Sequence, residues 1–182
     1  MSERTIHLHR VLRCPPQRLY RAFTEAGAMA KWLPPHGFTC QVHHLEARVG
    51  GGFRMSFHNF GSGGAHAFHG EYLELVPGEL IRYTDQFDDP SLPGLLEVTV
   101  RLQPVPCGTD LRITQAGIPE AIPLEMCYLS WQESLAQLAA LAEPERTVVC
   151  FSGDGSILMN IQELASAAEE GANVKVILMN NS

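Results

Sequence analysis

Two groups of residues have the types and spacing that chemistry requires. Gly153-Asp154-Gly155 is followed, after 24 intervening residues, by Asn180-Asn181. A carboxylate and a carboxamide offer the oxygen ligands that a hard divalent cation takes, and glycines let a phosphate approach backbone N–H groups at a helix start. The second group is acid–base in kind. Strand parity and helical spacing turn Tyr83, Asp85, Gln115, Ser130 and Glu133 inward. A buried carboxyl among them with a raised pKa would make Tyr83, Asp85 or Glu133 a candidate acid or base.

Other reactive residues lead less far. His43, His44, His58, His66 and His69 fall in the central strands. Adjacent strand positions face opposite sides, so His43 and His44 do not converge on one ion, and His66 and His69 differ in parity too. The expectation is surface histidines on a wet face. No G-x-S-x-G elbow or local cysteine signature appears, and Gly50-Gly51-Gly52 lacks the Gly-Lys-Ser/Thr of a phosphate loop. Those glycines read as a bulge or a sharp sheet bend entering a strand.

Composition bounds the partners. With 13 Lys+Arg against 20 Asp+Glu, the net charge of -7 disfavours nucleic acid and anionic membrane surfaces as partners. Five widely spaced cysteines without a C-x-x-C pair read as reduced thiols in a cytoplasmic protein. The N-terminus carries no secretory pattern, and no apolar run is long enough to span a bilayer. A hydrophobic fraction of 45% suits a packed core.

The positioning elements follow from periodicity. Residues 5–13 alternate as a half-buried strand that Pro15-Pro16 stops, and Leu19, Tyr20, Phe23 and Met29 to Trp32 recur at helical spacing. Strands are expected near 39–47, 52–60, 65–76, 79–87, 95–104 and 108–116. Phe53, Met55 and Phe57 share one face, as do Leu96, Val98, Val100 and Leu102, so the sheet is antiparallel with one face needing cover. Leu124, Tyr128, Trp131, Leu135 and Leu138 form a helical stripe to about Ala142 that supplies the cover. After Pro144 a strand at 147–151, a helix over 157–170 and a strand at 174–179 form a strand–helix–strand unit.

Lys31-Trp32-Leu33-Pro34, Val49-Gly-Gly-Gly-Phe-Arg54, Gly70-Glu-Tyr-Leu-Glu74 with Pro77, Gly108-Thr-Asp-Leu111 and Trp131-Gln-Glu-Ser-Leu135-Ala-Gln-Leu138 occur in that order. On these residues the chain resembles the START-like or SRPBCC superfamily, in the branch related to the activator of the heat-shock chaperone ATPase. Ser130 departs from the Gly that the family usually places before the Trp. The resemblance implies an α+β helix-grip domain over residues 1–143, with six to seven antiparallel strands wrapped on a long C-terminal helix. It also implies a ligand cavity between sheet and helix, with the lining expected at Phe53, Met55, Phe57, Phe68, Tyr72, Tyr83, Phe87, Val98, Met126, Leu129, Trp131 and Glu133. The expected function is binding of a small hydrophobic or amphipathic molecule. A protein-interaction module acting on a chaperone ATPase, or self-associating, is the alternative, followed by a cyclase- or hydratase-type enzyme.

Residues 144–182 resemble part of the thiamine-diphosphate-binding domain of the acetolactate synthase large subunit. The resemblance implies Gly153, Asp154, Gly155 and Asn181 at the cofactor and Asp154 and Asn181 on Mg²⁺. The family's third ligand would fall one position beyond Ser182, and the upstream residues are helix-grip instead of the domain that holds the aminopyrimidine. The expectation is therefore a truncated fragment and no cofactor, unless other chains complete the site.

Overall fold

The computed structural model describes residues 4–143, 148–153 and 174–179, the last two segments by backbone alone. The chain opens with β1 (Ile6–Leu12), α1 (Pro16–Ala22) and α2 (Ala26–Trp32). Six strands follow: β2 (Phe38–Leu45), β3 (Gly52–Asn59), β4 (Ala65–Val76), β5 (Leu80–Phe87), β6 (Leu96–Val105) and β7 (Gly108–Ala116). Then come α3 (Leu124–Ala142), β8 (Val148–Gly153) and β9 (Val174–Met179). Pro16 occupies the first turn of α1, where an amide N–H would have no partner anyway.

β1 to β7 form one sheet in the order β1-β7-β6-β5-β4-β3-β2, with every pair antiparallel. Register shifts between Val42 and His44 and between Tyr72 and Glu74 interrupt two of the ladders. Such bulges strengthen local twist and bend the sheet. Its inner rows bury Phe53, Met55, Phe68, Tyr72, Ile81, Tyr83, Leu96, Val98, Val100, Leu111 and Ile113. Phe53, Tyr72 and Tyr83 stack mutually with centroids 5.6 to 6.1 Å apart, and Phe57 meets Phe68 edge-on at 4.8 Å.

α3 lies across this face, and its ends can be placed from their bonds. Near its start, Trp131 Nε1 donates to Gln115 Oε1 at 2.8 Å, where β7 finishes. At its close, Glu143 Oε1 accepts from the backbone N–H of Arg13 at 2.6 Å, just past β1. The first half of α3 therefore stands over the end of the sheet where β2, β4 and β6 begin and β3, β5 and β7 finish. Its buried stripe is Trp131, Ser134, Leu135, Leu138 and Ala142, and Leu124 and Cys127 pack beside that core. Tyr128, expected in the stripe, is 44% exposed at its edge.

The short motifs now have structural reasons. Trp32 is wholly buried, donates to the Ala22 carbonyl at 2.8 Å and lies 6.4 Å from Trp131. α3 grips the chain just beyond Trp32, since Ser134 Oγ donates to the Leu33 carbonyl and Gln137 Nε2 to that of Pro34. Gly108 sits at φ 137°, and Thr109 Oγ1 donates to the Cys14 carbonyl at 2.6 Å. A β-carbon on Gly70 would stand 1.8 Å from the Thr84 carbonyl oxygen and 2.6 Å from the Phe53 ring. Gly70→Ala should therefore lower stability in urea unfolding by more than about 2 kcal/mol. A loss below 0.5 kcal/mol, roughly the scale of a surface change, would contradict this packing.

β8 and β9 pair in parallel, Val148 against Val174 and Gly153 against Met179. That agrees with the two outer strands expected for the tail. The helix expected over 157–170 lies outside the described residues.

Candidate functional site

Parity along β5 sets the chemistry of the interior. Ile81, Tyr83, Asp85 and Phe87 occupy one row and face inward, while Arg82 and Thr84 face out. Arg82 bonds Glu97 and Glu74 on that outer face. Glu71, Glu74, Glu97 and Asp110 all belong to outer rows, so Asp85 is the carboxyl that the sheet turns toward its apolar side. It stands opposite Leu96 on β6, diagonal to Gln115 on β7.

Asp85 Oδ1 is shielded from solvent and meets no hydrogen-bond donor among the described residues. Leaving a buried acceptor unmet costs on the order of 1–3 kcal/mol, and more for a charged one. Burial pushes the Asp85 carboxyl from its ordinary 3.8 up to about 7, with the Gln86 backbone N–H and the charge of His69 pulling weakly the other way. Burial also raises the Tyr83 hydroxyl, helped by the charges of Asp85 and Tyr72, and lifts the Cys127 thiol to about 11. Tyr83 and Cys127 thus stay neutral around Asp85. Gln115 Oε1 is already occupied, accepting from Trp131 Nε1 and, at 3.0 Å, from Cys127 Sγ.

The residues expected to line a cavity fall into three places. Phe53, Met55, Phe68, Tyr72, Tyr83, Val98 and Trp131 come together as a filled core. Phe57 and Phe87 are half-buried on the inner face, toward the sheet end beneath the start of α3. Met126 and Leu129 do not face the core: they are 58% and 55% exposed on the side of α3 turned away from its buried stripe. Glu133 is also displaced from the expected interior. Its carboxylate accepts from the His36 N–H at 3.0 Å and helps hold the chain between α2 and β2. Ser130 gives its carbonyl to Ser134 Oγ. The helical stripe alone could have excluded Met126 and Leu129, since both lie well over a quarter-turn from Trp131 and Leu138 at 100° per residue.

His43, His44, His58 and His69 stand on the outer face, whereas His66 shares the row of Phe68 and Tyr72, opposite Phe57, and is exposed at the inner rim. His43 and His58 both direct Nε2 at Ser56 Oγ, at 2.8 and 3.0 Å, because the bulge after Val42 turns His43 toward β3. His69 bonds Asp88 at 2.8 Å, and His66 lies 6.4 Å from the Phe38 ring. No group of three or more metal-ligating side chains occurs among the described residues. Two shallow grooves, of about 260 and 450 Å³, lie on this outer face, lined in part by His69, Glu71, Thr84 and Gln86 and by His7, His9, Arg101 and Arg112. They are remote from Asp85 because the sheet intervenes. Of the tail's expected ligands, Gly153 ends β8, whereas Asp154, Gly155 and Asn181 lie outside the described residues.

Comparison with known proteins follows the same division of the chain. The family described as activator of Hsp90 ATPase homolog 1-like protein matches residues 13–143, and the chain belongs to that family. A crystal structure of protein CV1439 from Chromobacterium violaceum is 62% identical, covers 78% of this chain and 98% of its own, and superposes with a TM-score of 0.77. The AHSA1 protein of Silicibacter pomeroyi, at 20% identity and TM-score 0.68 over 78% of this chain and 99% of its own, shares the fold. This is the SRPBCC-type helix-grip architecture expected from the motifs.

The C-terminal TPP-binding domain of thiamine pyrophosphate enzymes matches residues 129–182. The large subunit of acetolactate synthase isozyme 1 of Escherichia coli is 67% identical over 43 residues, which are 24% of this chain and 8% of that protein. The enzyme of Haemophilus influenzae is 61% identical over 41 residues, 22% of this chain and 7% of its own length. The chain thus spans less than a tenth of these relatives. The two family matches overlap over 129–143, and there the structure has α3, with Trp131, Leu135 and Leu138 buried in the helix-grip core.

The raised carboxyl carries a stability consequence. Folded Asp85 holds its proton more tightly than the unfolded chain, so its contribution is complete below about pH 4 and lost as pH rises through about 7. The shift corresponds to about 4 kcal/mol at most. Asp85→Asn should raise Tm at pH 8 by at least about 3 °C and leave it unchanged near pH 4. Equal shifts at both pH values would contradict a buried, unmatched carboxyl.

Proposed function

We propose that the helix-grip domain binds a small apolar or amphipathic molecule at the sheet end covered by the first half of α3. The observation that carries this reading is the apolar surface of the sheet left incompletely covered there. Phe57 and Phe87 are half-buried on the inner face, and Phe60, in the loop that follows β3 at the same end, is exposed. Large apolar side chains grouped at one mouth mark a binding site more often than isolated ones do.

The rest of the core is filled, so the ligand enters by displacing the start of α3. That half of the helix has fewer buried side chains than the half from Trp131 onward, and it opens at lower cost. The tail takes no part in this binding, and thiamine diphosphate with Mg²⁺ should leave the chain's Tm unchanged. An upward shift of several degrees would show instead that the tail holds the cofactor.

Native mass spectrometry of the full chain as purified from cells tests the reading. An excess mass matching an apolar metabolite is expected. Phe87→Arg should lower its occupancy at least fivefold with the fold retained, since Phe87 is only half-buried at the end of β5. A bare mass together with stimulation of purified Hsp90 ATPase would contradict ligand binding and favour the activity in the family's name.

A further inference from the structure

The sheet turns one ionisable carboxyl toward its apolar side and leaves one of its oxygens without a donor. Asp85 faces inward between Tyr83 and Phe87, and its Oδ1 meets neither solvent nor a donor among the described residues. Every cation near it is committed elsewhere or lies behind the sheet. Arg4 Nε donates to the Ile118 carbonyl at 3.1 Å and its Nη2 bonds that of Ile122. His69 is on the outer face, bonded to Asp88. Arg82 is also outside, between Glu74 and Glu97. The inner rows of β3, β5, β6 and β7 contain no Lys, Arg or His. β1 adds Arg10, which bonds the His9 carbonyl, and β4 adds the exposed His66 opposite Phe57, and no donor among the described residues reaches Asp85 Oδ1.

The remaining polar groups of the interior do not fill the gap. Gln115 turns its Oε1 to Trp131 and Cys127, and its Nε2 does not reach Asp85 Oδ1. The Tyr72 hydroxyl donates to the Phe23 carbonyl at 3.1 Å. A buried charge persists only when paired and hydrogen-bonded. A molecule entering at this mouth therefore gains most from bringing the cationic donor that Asp85 Oδ1 lacks. A carboxylate head would meet a like charge, and an alcohol would supply one hydrogen bond without neutralising Asp85.

Building on the apolar-ligand reading above, we propose that the ligand is a small amphipathic amine. Its ammonium N–H groups bond Asp85 Oδ1, and its hydrocarbon body lies along Phe87 and Phe57 toward the rim of the sheet at Phe60. Asp85 is then the residue that selects head-group charge, while the rim selects only for apolar surface.

Isothermal titration of the full chain at pH 7 with n-octylamine, 1-octanol and octanoate tests this without any variant. The amine should bind at least tenfold more tightly than either of the others. Asp85→Asn should then weaken the amine at least tenfold and leave 1-octanol within twofold. Equal affinities for the three probes, or an amine unaffected by Asp85→Asn, would overturn the assignment of Asp85 and leave the apolar site standing. Failure of all three to bind would overturn the apolar site as well.

Discussion

A curved sheet with one apolar face has to be covered, and in this chain a single helix covers it. The position of α3 therefore decides which inner residues are sealed and which stay near a mouth. Two tryptophans fix that position. Trp131 reaches from the helix to Gln115 on β7 and lies against the fully buried Trp32 from α2. Burying each ring contributes on the order of 3 kcal/mol, and the indole N–H bonds remove the penalty of burying a donor. Ser134, Gln137 and Glu143 then anchor the second half of the helix to backbone groups of the first 35 residues.

Among the described residues, the first half of α3 has no comparable anchors on β2 to β5. Its contacts run to β7, through Cys127 and Gln115, and its outward side presents Met126 and Leu129. Below this half the sheet places Asp85 and two half-buried phenylalanines. The site thus arises from uneven covering. One end of the helix is tied down and its core filled, and the other end stands over a carboxyl with one oxygen unpartnered.

Much of this was legible from residue patterns. Alternation at Phe53-Met55-Phe57 and at Leu96-Val98-Val100-Leu102 gave the inner face and the antiparallel sheet. The motifs around Trp32, Gly70, Thr109 and Trp131 gave the family and the strand order. What local pattern could not supply was rotation and depth. Met126, Leu129 and Glu133 are apolar or polar in the expected way, yet which side of a helix meets a sheet depends on Trp131 and Leu138 being sealed first. The convergence of His43 and His58 on Ser56 was hidden because it needs a bulge, and a bulge changes parity by one residue. Asp85 was recognisable as inward-facing from parity. Its missing donor was not, since that depends on how side chains from β7 and α3 pair with one another at Gln115, Cys127 and Trp131.

Asp85 is a buried carboxyl with one oxygen left without a donor among the described residues, and a carbon-detected NMR titration of that carboxyl in the full chain measures this directly. An inflection near pH 7 is the predicted result. An inflection close to the ordinary 3.8 would mean that the carboxylate is solvated or paired, and would contradict the site described for it.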